Sequence, residues 1–377
     1  MPAPSPIDAF SSHFGKEPTW RITAPGRINL IGEHVDYLGG FVMPVAIDRA
    51  LRLAVRANDS GKIRLWTSGQ TAEVDLSKLV PFTGELFWLS YVTGVVEMLR
   101  REGIEPRGFD VAITSDLPTG AGLSSSAALE TGIALAMEAV TGQALDPVTR
   151  ARLCQQAEHE FAGVPCGLMD QLAVGLGKRG HALMIDCQDH SLEWIEIPHR
   201  LMIVVADTGV KHALADGEYR RRREECEAAL ERMGKDHWRE VLPEDLDWLD
   251  GKLLQRARHV VTEMARVPQM RAAMAEEDLK RIGQILRAGH HSLRDDFEVS
   301  CRELDVLVEA VDGFGAIGAR MTGGGFGGST ISLIREQEEM DAIDLISHLK
   351  RLYELECGRE LNAFVVRASD GATTQKL

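Results

Sequence analysis

No two cysteines in this chain are spaced CxxC, and the six present (Cys154, Cys166, Cys187, Cys226, Cys301 and Cys357) are widely scattered. That arrangement excludes a thiolate zinc site and a dithiol redox pair, and predicts reduced, buried or half-buried thiols. Positive charge is also short: 42 lysines and arginines stand against 57 acidic residues, a net charge of −15. A broad nucleic-acid face needs clustered cations, so nucleic acid is excluded as a partner, while a local cationic pocket is not. No apolar stretch approaches the ~20 residues that span a bilayer. The opening MPAPSPIDAF holds neither the basic segment nor the apolar run of a signal peptide. A soluble, cytoplasmic chain without a membrane partner is expected, with a monomer as the default.

Two familiar nucleotide signatures are missing too. The Gly/Ser-rich turn at residues 118–126 has no lysine after its last glycine, so it is not a Walker A loop, and GxGxxG spacing is absent. There is no internal repeat and no long low-complexity segment.

What is present is an ordinary globular composition, 44% apolar and 26% charged over 377 residues, enough for one large or two medium domains. The Pro- and Ser-rich first few residues are expected to be loose. Alternation at Trp20, Ile22 and Ala24 predicts a strand, and Phe41 to Val55 a further one. Trp88, Tyr91, Val92, Val95 and Leu99 share one face of a predicted helix that ends at Arg100-Arg101 and Gly103. Phe109–Thr114 is strand-like, and an Ala-rich helix follows with Leu129, Ile133, Met137 and Val140 on one side. A second helix is predicted from about Arg150 to Phe161, then strands at His181–Asp186 and Leu201–Asp207. Helices dominate from 217 to 310, with strands again at Thr330–Ile334 and Ala363–Val366. Strands and helices without strict alternation predict an α+β fold. Two domains are expected, residues 1–200 and 201–377.

Three segments carry chemistry. In PTGAGLSSSAALE (118–130) a strand-to-helix turn aims backbone N–H groups and the helix dipole at an incoming anion. Its candidate phosphate contacts are Gly120, Ala121, Gly122, Leu123, Ser124, Ser125 and Ser126; the plain alternative is a turn that caps a helix. In APGRINLIGEHVDYLGG (24–40), Arg27, Glu33, His34 and Asp36 lie close together around Gly26 and Gly32. A polyol needs such groups, since each hydroxyl both donates and accepts, although solvated charges pairing with one another is the alternative. In ARMTGGGFGGSTISLI (319–334), five glycines in six residues permit close backbone approach, and the strand-like STISLI argues against a free linker.

Together and in this order, these segments resemble the GHMP kinases. GRINLIGEHVDYLGG is similar to the signature of the galactokinase branch of that family, as is CGLMDQ (166–171) followed by GHALMIDC. The resemblance implies two domains, an N-terminal one of the ribosomal-protein-S5-like kind and a C-terminal α+β one, with the active site in the cleft between them. It implies Asp170 as the catalytic aspartate with Arg27 beside it. Glu33, His34, Asp36, Gly167 and Tyr219 match sugar-holding positions. Ser126 and Glu158 match the Mg²⁺-side serine and glutamate, and Trp88, with Tyr91 beside it, matches an aromatic position near adenine, with core packing as the competing reading. The implied reaction is ATP-dependent phosphorylation of galactose at O1. Val35 and Leu38 depart from the signature, where Thr and Asn are usual, which keeps N-acetylgalactosamine or L-arabinose open as acceptor; a non-catalytic sugar and ATP sensor is the rival from another class. His290, His291 and Asp295 resemble metal ligands at helical spacing, with a structural role expected instead, and Arg220–Arg223 is expected to be a solvated helical face with internal pairs.

Overall fold

The computed structural model describes residues 5–118, 120–211, 215–335 and 339–377. Its strands are β1 (Trp20–Asn29), β2 (Phe41–Val42), β3 (Pro44–Ala57), β4 (Lys62–Thr67), β5 (Gln70–Asp75), β6 (Phe109–Ser115), β7 (His181–Asp186), β8 (Leu192–Glu196), β9 (Leu201–Lys211), β10 (Gly318–Thr322), β11 (Gly327–Arg335), β12 (Asn362–Val366) and β13 (Thr373–Lys376). The helices are α1 (Pro6–Phe14), α2 (Leu89–Arg101), α3 (Ser125–Thr141), α4 (Pro147–Ala157), α5 (Met169–Leu176), α6 (Ala215–Arg232), α7 (Gly251–Ala275), α8 (Leu279–His291), α9 (Arg302–Asp312) and α10 (Glu339–Cys357). Helix and sheet are mixed in an α+β arrangement.

Three sheets organise the chain. The first has the order β13-β1-β3-β6-β4-β5, the second β10-β11-β9-β12, and the third β2-β7-β8. Among the described residues all strand pairings are antiparallel except β4 with β6. The helix face read from Trp88 to Leu99 is buried at Val92, Val95 and Leu99, as its periodicity predicts. Each such side chain contributes about 1.5–3 kcal/mol by leaving water.

The structure departs from the sequence expectations in places with identifiable causes. Loose chain was expected at the start; Met1–Pro4 lie outside the described residues, and from Pro6 the chain is helical, with Ser5 capping Asp8 N and Phe10 buried in a small cluster with Ala54 and Ala112. The strand expected from Phe41 to Val55 is interrupted at Met43, whose backbone turns back to pair with Leu30 and Ile31. Helix α3 is buried on nearly all sides rather than along one stripe, because its alanines let β1, β3, α2 and α4 approach together. The helix expected to run to Phe161 starts earlier, at Pro147 with Asp146 as its cap, and stops at Ala157. A π-helical turn over Glu158–Ala162 follows, and such turns re-aim side chains. In the arginine run, Arg221 and Arg223 make internal pairs as expected, but Arg222 is buried and donates to the carbonyls of Phe297 and Glu298. His290 is buried against Asp305 and Asp295 pairs with Arg294, and no cluster of metal-ligating side chains occurs among the described residues.

Candidate active site

The strand β1 delivers Arg27 to the point where three segments meet. Arg27 Nε and Nη2 donate to the two carboxylate oxygens of Asp170, at 2.7 and 2.8 Å, and Nη1 donates to the carbonyl of Gly122. Arg27 N bonds to Leu123 O at 3.1 Å, which ties the strand to the Gly/Ser turn. Asp170 sits in the first turn of α5 and also accepts from the hydroxyl of Ser124. Ser124 was expected to serve a phosphate; here its backbone is left-handed (φ 58°), and its side chain holds the aspartate instead of capping α3. The first-turn N–H groups of α3 therefore have no side-chain cap from Ser124, which is the chemistry that receives an anion. Ala121 and Leu123 are buried, so only their backbones face this turn; Ser125 is exposed, while Gly120 and Ser126 are half-buried. Thr119 lies outside the described residues.

The glycine-rich segment is the connection between β10 and β11, folded onto the same turn. Ser329 Oγ donates to Ala121 O at 2.7 Å, and Thr322 Oγ1 to Asn29 O at 3.1 Å. Gly325 has φ 80°, and a Cβ there would stand 2.3 Å from Val299 O, so glycine is required at the turn. The segment is ordered, not a linker.

On the other side lies a cavity of about 580 Å³ bordered by Arg27, Glu33, His34, Asp36, Glu158, Gly167, Asp170 and Tyr219, together with Gly323 to Phe326. Phe87 and Tyr91 also line it, whereas Trp88, just ahead of α2, packs against the main core. Asp36 approaches Gly167 so closely that a Cβ at 167 would fall 2.0 Å from Asp36 Oδ2. Burial, then the neighbouring Asp170 charge, push the Asp36 carboxyl up to about 6. His34 also has positive φ (61°); its Nε2 donates to Gly324 O at 3.0 Å and its Nδ1 accepts from Tyr37 OH at 3.1 Å. Burial, reinforced by nearby His259, holds it down at about 3, so the ring is neutral. Tyr219 stacks at 5.2 Å from His34, its phenol pushed up by burial.

Four supporting residues escaped the sequence reading. Arg320, wholly buried on β10, donates to Glu33 Oε2 at 2.5 Å and to Glu263 Oε1 at 2.8 Å. Burial pushes Glu33 up to about 7 in spite of Arg320. Glu263 is buried equally, yet Arg320, Arg266 and the Gly32 N–H outweigh that and hold it well below the usual range. The fourth is Gln171, whose amide donates to Glu158 at 2.8 Å and to Glu130 at 3.2 Å. Glu158, on the π-turn, is pushed up to about 7, first by burial and then by Asp170, and it accepts a hydrogen bond from Ser126. Two of these had a sequence signal, Gln171 in its place beside Asp170 and Arg320 in its place within the 319–334 segment.

Comparison with known proteins fits this geometry. Residues 90–178 match the family model for the N-terminal domain of GHMP kinases, and residues 270–355 that for their C-terminal region. The chain belongs to the GHMP kinase family. Residues 8–57 match the galactokinase galactose-binding signature, and the curated relatives place the chain in the galactokinase branch. A galactokinase of Chloroflexus aggregans is 43% identical, covering 97% of this chain and 96% of that protein. The galactokinase of Homo sapiens is 39% identical, covering 97% and 94%. Among solved structures, Lactococcus lactis galactokinase complexed with galactose superposes with a TM-score of 0.92 at 33% identity, covering 98% of both chains. Methanococcus jannaschii mevalonate kinase shares the fold alone, with a TM-score of 0.67 at 18% identity over 93% of this chain and 98% of that one.

Proposed function

We propose that this chain transfers the γ-phosphoryl group of ATP to O1 of galactose, giving galactose 1-phosphate and ADP. The observation that carries the reading is the Asp170 carboxylate, gripped by Arg27, still 27% exposed at the border of the cavity that Asp36 also lines, and bonded to Ser124 at the uncapped start of α3. Near-full-length similarity to galactokinases supports the choice of sugar. Val35 is wholly buried in the second core cluster and Leu38 packs against it, and neither lines the cavity, so the two departures from the signature lie away from a bound sugar. The chain divides at residues 200 and 201, with β9 opening the second domain, and its last strand, β13, returns to the sheet of the first.

In this reading Asp170 accepts the O1 proton as the sugar oxygen attacks, and Arg27 orients Asp170 while bracing the turn through the Gly122 carbonyl. Asp36, Glu33 and Tyr219 hold the hydroxyls, and neutral His34 fixes the Gly324 and Tyr37 groups around them. The transition state is loose, so positioning supplies most of the acceleration. A hard divalent cation would suit Glu158: its buried carboxylate feels the Asp170 charge, has no cationic partner among the described residues, and accepts from the Ser126 hydroxyl. Mg²⁺ takes oxygen ligands and leaves part of its shell to waters and phosphates, so Ser126 and Glu158 would hold it without a third side chain. Held by those two residues, such an ion would supply charge neutralisation for the phosphates.

The direct test is a coupled ADP-release assay across galactose, N-acetylgalactosamine, glucose, L-arabinose and mevalonate. Galactose should lead; a clear preference for another acceptor, or no ADP release with any, rejects the reading.

Two further outcomes follow from the geometry around Asp36. Gly167→Ala should displace the Asp36 carboxylate and raise the galactose KM roughly ten- to hundredfold, the usual cost of a misplacement near 1 Å, with ATP KM little changed. Equal effects on both KM values would show that the glycine serves the nucleotide instead. Because burial pushes the Asp36 carboxyl up to about 6, lowering the pH through that value protonates it and turns one of its acceptor oxygens into a donor. The kcat/KM for galactose should therefore decline below about pH 6. Asp36→Asn should abolish that limb, and a limb that persists assigns it to another group.

A further inference from the structure

Arg220 opens the run of four arginines on α6, and its three neighbours are all engaged. Arg221 pairs with Glu225 at 3.0 Å, Arg223 with Glu227 at 2.9 Å, and Arg222 is buried against the Phe297 and Glu298 carbonyls. Arg220 has no hydrogen-bond or ion-pair partner among the described residues. It is exposed, yet it borders the cavity next to Tyr219 and also the groove at the cavity mouth formed with Gly163 and Pro165.

The charge around the cavity explains what such a group is for. Glu33, Asp36, Glu158 and Asp170 all line it, and its other arginine, Arg27, is committed to Asp170. The acceptor sugar is neutral, so a guanidinium gains no charge pairing from it beyond ordinary hydrogen bonds to its hydroxyls. The phosphate donor is a polyanion that must enter a carboxylate-lined space, and a planar guanidinium matches the oxygens of a phosphate in pairs.

We infer that Arg220 binds phosphate at this site: its guanidinium donates to non-bridging oxygens of the terminal phosphate of the nucleotide, and to the same phosphate after it has moved to the sugar. This rests on the kinase reading above and adds a contact from the second domain. Arg220 makes and breaks no bond; it offsets charge that the carboxylates oppose. The position gives no signal in the signature motifs, because it lies one residue past the sugar-side Tyr219 in a stretch that reads as solvated charge.

The test is steady-state kinetics of the full chain with ATP and galactose for the wild type, Arg220→Ala and Arg220→Lys; the side chain is exposed, so both variants should fold, with melting temperature as the check. Arg220→Ala should lower kcat/KM for ATP about tenfold, the lower end for a charge-assisted bond at a solvated rim. The galactose KM should stay within about twofold, and Arg220→Lys should restore part of the loss. Inhibition by galactose 1-phosphate should weaken in the alanine variant, and the decline of kcat/KM for ATP with added salt should become shallower. An unchanged kcat/KM for ATP, or an effect confined to the galactose KM, overturns the inference while the kinase reading stands. A wild type that releases no ADP with any sugar removes the reading itself, and the inference with it.

Discussion

Turnover should fall about a hundred- to ten-thousandfold when Asp170 is replaced by alanine, the range that a positioned general base supplies. The carboxylate is the group facing the cavity that is both fixed and available: two bonds from Arg27 and one from Ser124 hold its orientation, and about a quarter of the side chain remains open. Alanine removes more than the proton acceptor, since it strips the buried Arg27 of its counter-charge and can shift the Gly122 carbonyl that Arg27 also holds. Asparagine separates the two effects by keeping one carbonyl oxygen for Arg27 or Ser124 while losing basicity. Galactose binding, measured by calorimetry, should survive in the asparagine variant while kcat collapses. Wild-type turnover in Asp170→Asn would remove this residue from the proton transfer and leave Arg27 and the backbone donors to do the chemistry.

The largest effect on stability is expected at Arg320. Its side chain is wholly buried and pairs with two carboxylates that are themselves 0–1% exposed. Arg320→Met leaves Glu33 and Glu263 together without the shared cation, and breaking such a buried pair costs about 3–5 kcal/mol. The urea midpoint should fall accordingly, with its slope unchanged. The deficit should also depend on pH. Without Arg320, burial pushes Glu33 further above its unfolded value, and Glu263 rises too, although Arg266 and the Gly32 N–H still hold it. Protonation then stabilises the folded variant, and the deficit should shrink as the pH is lowered and grow as it rises. A second measurement guards against simple failure to fold: adding Glu33→Gln and Glu263→Gln to Arg320→Met should recover part of the loss. A deficit that neither low pH nor the triple substitution reduces would mean that shape, not charge, is what Arg320 supplies.

How much of this could be read in advance depended on whether the signal was local. Arg27, Asp36 and Asp170 stand in short motifs, and the fold brings Arg27 and Asp170 together as adjacent partners. The strands at His181–Asp186 and Leu201–Asp207 are dense in β-branched and apolar residues, and β7 and β9 are found there. The Arg320 cluster gives no signal of its pairing: Arg320 stands in the 319–334 segment but lies 287 residues from Glu33 and 57 from Glu263, which meet only where the fold brings β10, α7 and the segment after β1 together. The β4–β5 hairpin went unread although Ser68 and Gly69 both have positive φ, the geometry of a two-residue turn that matches strand twist. Lys62, Arg64 and Glu73 give it the composition of a surface loop. The π-turn at Glu158 is invisible for a different reason, since one extra residue per turn leaves helical periodicity nearly intact while rotating a single side chain into the site.

The strand that carries Arg27 is flanked by β3 on one side and by β13 on the other, with Trp20 opposite Lys376 and Arg21 bonded to Gln375. A growing polypeptide therefore cannot complete this sheet until residues 373–376 have left the ribosome, long after the phosphate-binding turn and Asp170 have been made. The open edge of the strand that bears the arginine is thus closed, at residues 20–23, by a segment made well after the turn and the carboxylate which that arginine serves. Affinity tags fused close behind Lys376 belong on a spacer long enough to leave that edge free.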